Sequence, residues 1–155
     1  MPQLVKGGKY VFGWSRIRDN GQILIPGEAI DEYRLRPETN VILMSGSKTS
    51  GGFIIADKAL MERSALGNVF KENPGLADLQ FGDGKIISHK ERKYGCTSIE
   101  NNNTVKLDKQ LLEAFGLKPG DDLLSARGSY MGIGMIARGP IFEYARKHPE
   151  IERFA

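Results

Sequence analysis

One pattern occurs twice along this chain of 155 residues, at a fixed offset of 82 positions. Ile17, Asn20, Leu35, Pro37, Gly46, Ser47, Gly52 and Ile54 are matched by Ile99, Asn102, Leu117, Pro119, Gly128, Ser129, Gly134 and Ile136. Between them, Ile23, Ile30, Tyr33, Val41, Ile42 and Phe53 meet Val105, Leu112, Phe115, Leu123, Leu124 and Met135 without a gap. Eight identities in about forty aligned positions exceed the roughly two to three expected from ordinary residue frequencies. Two copies are too few for a solenoid, which needs three or more stacked units to bury its apolar faces. The copies are therefore expected to share one core.

Each copy reads as β-hairpin, short helix, β-hairpin. The strand-like YVFGWSRI and YGCTSI lead into Asp19-Asn20-Gly21 and Asn101-Asn102-Asn103, whose residue types tolerate positive φ and predict turns before QILIP and TVKLD resume the strand. EAIDEYRL and KQLLEAFGL place Ala29, Ile30 and Tyr33, and Leu111, Leu112 and Phe115, at helical spacing. Asp108 is an N-cap residue, Pro26 suits a helix start, and Pro37 and Pro119 are expected to end the helices. Two further strands close each copy. Repeat one spans about 9–63 with a helical tail over 57–81, a linker covers about 82–92, and repeat two spans about 93–140 with a helical tail over 140–155. Leu35, Ile54, Leu117 and Ile136 are expected in the core because both copies keep them apolar.

Composition, at 40% hydrophobic and 26% charged, is that of a soluble globular protein large enough for one core without disulfides or metal. No apolar run approaches the roughly 20 residues of a membrane span, and MPQLVKGGKYVFGW lacks the apolar core of a secretory signal, so a cytoplasmic location and no membrane partner are expected. Cys96 is the single cysteine and reads as a small buried hydrophobe, aligned with Trp14. His89 and His148 are 59 positions apart, which spells neither a zinc site nor a Cys-His dyad. No HExxH, GxSxG or Walker lysine motif occurs. The adjacent pairs Asp31-Glu32 and Asp121-Asp122 cannot face each other on one element and read as solvated surface. The expectation is a protein that is not an enzyme and holds no cofactor or metal.

Two glycine-rich stretches, with Gly46, Ser47, Gly51 and Gly52 in the first copy and Gly128, Ser129, Gly132 and Gly134 in the second, are longer than tight turns and are candidate ligand loops whose amides could cradle an anion. Hairpin connections also favour Gly and Ser for conformational reasons alone. Net charge is +3, and the cations cluster ahead of each copy: Lys6, Lys9, Arg16 and Arg18, then Lys85, Lys90, Arg92 and Lys93. Such a distribution suits an anionic partner as well as a solvated face.

GQILIP followed by a short helix, a proline and an apolar strand resembles the SpoVT/AbrB-like family, at Gly21, Ile23, Ile25 and Pro26. The resemblance covers about 12–57 and, with Asn103 and Asp108 in place of the glycine and proline, about 94–139. Two repeats in one chain resemble the MraZ arrangement. The resemblance implies a mainly β fold with short helices: a pseudo-two-fold swapped-hairpin (AbrB-like) β-barrel built from two repeats, with helical tails. It also implies binding of double-stranded DNA by a basic face, as a transcriptional regulator. The family's helical basic pair falls on Ile30 and Asp31, and on Leu112 and Glu113, while the basic residue after the turn glycine falls on Gln22 or Thr104. The aspartate-arginine pair that marks MraZ is matched only by Asp31 and Arg34, one residue too close.

On this reading Lys9, Arg16, Arg18, Lys90, Arg92 and Lys93 meet phosphates, with Asn20, Gln22, Asn102 and Asn103 near base edges. Partners are then duplex DNA and, in a homo-oligomer, further copies of the chain. The alternative is a ligand-sensing or protein-interaction module on the same barrel without DNA binding. A weaker alternative is an enzyme on a related barrel, using backbone amides as oxyanion donors.

Overall fold

The computed structural model describes residues 4–6, 9–35, 40–56, 86–89, 92–127 and 132–154. Along the chain they run β1 (Leu4–Lys6), β2 (Lys9–Arg16), β3 (Gln22–Leu24), α1 (Gly27–Glu32), β4 (Asn40–Ser45), β5 (Phe53–Ala56), β6 (Ile87–His89), β7 (Arg92–Ser98), β8 (Thr104–Lys106), α2 (Lys109–Ala114), β9 (Asp122–Arg127), β10 (Gly132–Ile136), α3 (Pro140–Arg146) and β11 (Arg153–Phe154). The described residues are thus mainly β with short helices. A nine-stranded sheet has the order β1-β2-β9-β10-β5-β4-β7-β6, open at β1 and β6, with β11 added parallel to β2; β3 and β8 pair separately. None of the described helices is long and apolar enough to cross a membrane.

The strands of the two copies pair with each other, and the register follows the 82-residue offset. β2 pairs with β9 with Trp14 opposite Leu124 and Ser15 opposite Leu123. Adding the offset to one partner and subtracting it from the other gives Cys96 opposite Ile42 and Thr97 opposite Val41, which is the observed β7–β4 register. Two ladders map onto themselves. β3 meets β8 at Ile23 and Val105, and β5 meets β10 at Phe53 and Met135, so offset-related residues stand face to face on an approximate two-fold axis. Loop hydrogen bonds obey the same relation: Ile25 N–H donates to Asn103 O and Leu107 N–H to Gly21 O.

Alternation along these strands fills a core on one face of the sheet with residues from both copies, including Phe12, Ile23, Leu43, Phe53, Ile55, Val105, Leu123, Ile133 and Met135. Phe53 stacks on Phe115, at the C-cap of α2, with 5.3 Å between ring centroids. Ile23 and Val105 are both fully buried, each stabilising the fold by about 1.5–3 kcal/mol through burial alone. A second cluster forms on the other face, where α3 and the chain after it cover Val11, Trp14, Leu124, Ala126 and Ile136 with Ala145 and Ile151. Of the four expected core positions, Leu35 and Ile136 are buried, whereas Ile54 and Leu117 are only partly so. Ile54 alternates away from the Phe53–Ile55 face, and Leu117 lies just after the turn that ends α2, at the edge of the core.

Several sequence expectations shift. The turns at 18–22 and 100–104 close as expected, through Arg18 N–H to Gln22 O and Glu100 N–H to Thr104 O. Beyond those turns β3 and β8 give their ladders to each other rather than to β2 and β7. Gly21 has φ +85, and a Cβ there would collide with the Leu107 carbonyl oxygen. Asn103, its equivalent, holds φ 62 without glycine. The helices stop before the prolines: Arg34 (φ 53) and Gly116 (φ 67) adopt the left-handed conformation, and Leu35 N–H to Ile30 O and Leu117 N–H to Leu112 O close each end. Part of the expected linker, at 87–89, is strand β6. The C-terminal tail is helical only to Arg146, since the residue before Pro149 avoids the α region, and ends as β11, with Trp14 N–H donating to Glu152 O. The helical tail expected over 57–81 lies outside the described residues.

Because β2 and β7 each find their main sheet partner in the other copy, residues 1–82 or 83–155 alone should be unfolded by circular dichroism, and mixing the two fragments should restore the β signal. Arg34 occupies a left-handed position where the second copy has glycine. Arg34→Gly should therefore raise stability in urea by roughly 0.5–1 kcal/mol, with an unchanged m-value.

Candidate functional site

The polar turns that carry the base-contact candidates are placed by the β3–β8 ladder. Gln22 stands opposite Lys106 and Leu24 opposite Thr104, with Ile23 and Val105 turned inward. The turn at 19–21 lies at one end of this ladder and the turn at 101–103 at the other, and their nearest residues, Gly21 and Asn103, are four steps apart along it, roughly 13 Å at about 3.3 Å per residue. Each turn is stiffened by its own side chains. Asn20 Oδ1 accepts from Gln22 N–H at 3.0 Å, and Asn20 Nδ2 donates to Gln22 Oε1 at 3.1 Å. Thr104 Oγ1 donates to Asn102 Oδ1 at 2.6 Å, and Asn103 N–H donates to Glu100 O. Lys106, exposed beside Gln22, was not singled out by the sequence, although its outward place in the alternation of TVKLD was there to read.

The cations are not gathered into one cluster. Arg16 is exposed at the end of β2 and its Nε lies 3.1 Å from Asp122 Oδ1; the other carboxylate oxygen of Asp122 is 3.8 Å from Arg153. Arg18 donates to Gln22 Oε1 at 3.5 Å. Arg92 is half-buried and donates to the Ser45 carbonyl at 2.9 Å, and the backbone N–H of the exposed Lys93 donates to Ser45 Oγ. Four strands separate β2 from β7 in the sheet order, so the pairs Arg16–Arg18 and Arg92–Lys93 sit toward opposite edges. The offset relates Arg16 and Arg18 to Ser98 and Glu100, so the basic surface does not share the two-fold symmetry of the fold. Lys9 lies in β2; Lys90 lies outside the described residues.

In the first glycine-rich stretch, several amides that an anion would need are already given to the chain itself: Gly46 N–H donates to Gly52 O, Gly51 N–H to Ser47 O and Ser50 N–H to Ser47 Oγ. Ser50 O accepts from the amides of Ala137 and Arg138, and the Arg138 guanidinium donates to Lys48 O at 2.8 Å. In the second stretch Gly132 and Gly134 are buried strand residues of β10, paired with Ala56 and Ile54. Gly132 permits close approach of β5, since a Cβ would collide with the Ile55 carbonyl oxygen. Gly128 and Ser129 lie outside the described residues.

Tyr94 is buried near Arg92 on β7. Burial pushes its phenol above the ordinary value of 10.0, while Arg92 pulls the other way. The fold therefore holds the neutral phenol, and the stability this confers is lost as pH rises through the raised folded value. Urea midpoints measured between about pH 8 and about pH 11 should fall more for the wild type than for Tyr94→Phe, which has no proton to lose.

No family model matches the chain, and no curated protein matches it. Among solved structures, the solution structure of PHS018 from Pyrococcus horikoshii is similar at 12% identity with a TM-score of 0.36, over 84% of this chain and 97% of that one. A likeness at that level transfers neither fold nor function.

Proposed function

We propose that the chain is a tandem SpoVT/AbrB-like swapped-hairpin barrel that binds duplex DNA as a transcriptional regulator. The exchange of strands between copies supports the barrel, as does the position of the β3–β8 pair beside β2 and β7. One observation carries the DNA reading: two stiffened polar turns, related by the approximate two-fold, stand at either end of a three-residue ladder with Gln22 and Lys106 between them. Their spacing of roughly 13 Å matches a major groove about 12 Å wide. A pseudo-two-fold protein also suits the local dyad of a duplex. Asn20, Gln22, Asn102 and Asn103 then approach base edges, while Arg16, Arg18 and Lys106 meet phosphates and supply most of the affinity. The Arg16–Asp122 pair is no obstacle, because an exposed pair is worth only about 0–1 kcal/mol. No residue has a catalytic role in this reading.

A second reading, a ligand-binding module without DNA contact, is favoured by the engagement of Arg16 with Asp122 and of Arg92 with the Ser45 carbonyl. Titration of random duplex at increasing salt separates the two. Under the DNA reading, replacing both Arg16 and Arg18 by Ala lowers affinity and flattens the log-log salt slope by roughly 1.8, and a change at Cys96 leaves binding intact. Absence of duplex binding by the wild type at about 50 mM salt, where screening is weak, leaves the module reading in its place.

A further inference from the structure

α3 crosses the outer face of β2 and β9 and leaves an open cleft of about 520 Å³ between itself, the turn ahead of β9 and the C-terminal strand. That volume lies in the range of small-molecule sites, about 300–1,000 Å³. Its charged lining comprises Asp121, Asp122, Arg138, Arg146, His148 and Arg153.

The two carboxylates are already engaged. Asp121 accepts from the Lys118 backbone N–H at 3.0 Å and lies 3.8 Å from Lys118 Nζ, and Asp122 holds Arg16 from outside the cleft. His148 Nδ1 is 2.8 Å from the Glu150 carboxylate. The arginines are positioned differently. Trp14 and Phe142 form an edge-to-face pair with ring centroids 5.0 Å apart. The Arg153 guanidinium lies over Trp14 at 5.6 Å and that of Arg146 over Phe142 at 5.7 Å. Each planar fork is therefore laid on one ring of a single aromatic pair, which lowers the entropy of holding it for a ligand. Their ion pairs are long, 3.4 Å from Arg146 to Glu143 and 3.8 Å from Arg153 to Asp122. Arg138 gives a hydrogen bond to Lys48 O and keeps further donors of its fork.

We propose that this cleft binds a small oxoanion, a phosphate ester or a polycarboxylate, gripped by Arg146 and Arg153 with Arg138 at its margin. Both aspartates also face cations beyond the cleft, Lys118 and Arg16, and three guanidinium groups line the cleft against these two carboxylates, so an anion is favoured there. Guanidinium forks match carboxylate and phosphate oxygens in pairs. The proposal stands whether or not the duplex is bound, because it uses different arginines.

The chain supplies its own reporter, since Trp14 is its only tryptophan. Inorganic phosphate and, separately, citrate are titrated against chloride at matched ionic strength, followed by tryptophan fluorescence and by calorimetry. A saturable response is expected; a response to phosphate alone identifies a phosphate ester, and to citrate alone a polycarboxylate. Arg146→Ala and Arg153→Ala should each weaken binding by about tenfold, whereas Lys109→Ala, at an exposed position away from the cleft, should leave it unchanged. Arg146 is largely exposed, so its variant should keep the wild-type circular dichroism spectrum and isolate the loss of the fork. Responses no larger than those to chloride, or equal affinity in wild type and both arginine variants, overturn the proposal.

Discussion

The self-paired ladders at Ile23–Val105 and Phe53–Met135 are the constraint on which the rest of the structure depends. In an antiparallel pair a residue can face its own duplicate only where the two-fold axis passes, and two such points define the relation between the copies. Every other inter-copy ladder then has its register set. A slip of one residue in either ladder would turn Ile23 or Phe53 outward and move each neighbouring side chain to the wrong face of the sheet. Burial of these residues and strict alternation enforce the same answer.

Where main-chain pairing stops, side chains continue the symmetry. β2 and β3 share no ladder, yet the buried Ser15 donates its hydroxyl to Leu24 O at 2.8 Å. Thr97 makes the equivalent bond to Lys106 O at 2.8 Å in the second copy. Buried hydroxyls need partners, and these find them across the gap between the large sheet and the β3–β8 pair. Neither copy could replace the residue by an aliphatic one without leaving an unsatisfied carbonyl. Loss of either bond would weaken the seam that holds the polar turns against the large sheet.

The duplicated framework was legible because both copies repeat the same apolar alternation, and the offset read from Ile17 and Ile99 is the offset of the observed ladders. What the sequence could not supply was the choice of partner. A turn such as Asp19-Asn20-Gly21 predicts reversal of the chain, and the same local signal serves whether the returning strand pairs with its predecessor or with a duplicate 82 residues away. Helix ends were misplaced for a related reason: Pro37 and Pro119 mark a limit, but the left-handed Arg34 and Gly116 stop the helix first. The glycines at 132 and 134 looked like loop because composition does not separate a flexible glycine from one that lets two strands approach. The cleft under α3 was invisible for the opposite reason. Its arginines, 138, 146 and 153, are spread over the tail, and only the return of the chain as β11 beside Trp14 brings Arg153 to the ring that α3 covers.

Positions that keep the symmetry and positions that break it do different work. Ile23 and Val105, Ser15 and Thr97, and Gly21 and Asn103 hold equivalent geometry in both halves, and any drift there would strain the common core. Trp14 and Cys96 occupy equivalent places in the β2–β9 and β4–β7 ladders but differ greatly in volume. At Cys96 the strand presents a small buried thiol, whereas at Trp14 a large ring packs edge-to-face with Phe142 and lies under the Arg153 guanidinium. Arg16 and Arg18 likewise have Ser98 and Glu100 as their equivalents in the second copy. A fold maintained by its symmetric contacts can tolerate such divergence at its surface, because neither the ladder registers nor the central core depend on it. Asp122 joins the two divergent regions, one carboxylate oxygen toward Arg16 and the other toward Arg153. An anion that draws Arg153 into the cleft would leave that carboxylate more fully to Arg16, which gives the two asymmetric surfaces a direct electrostatic route to one another.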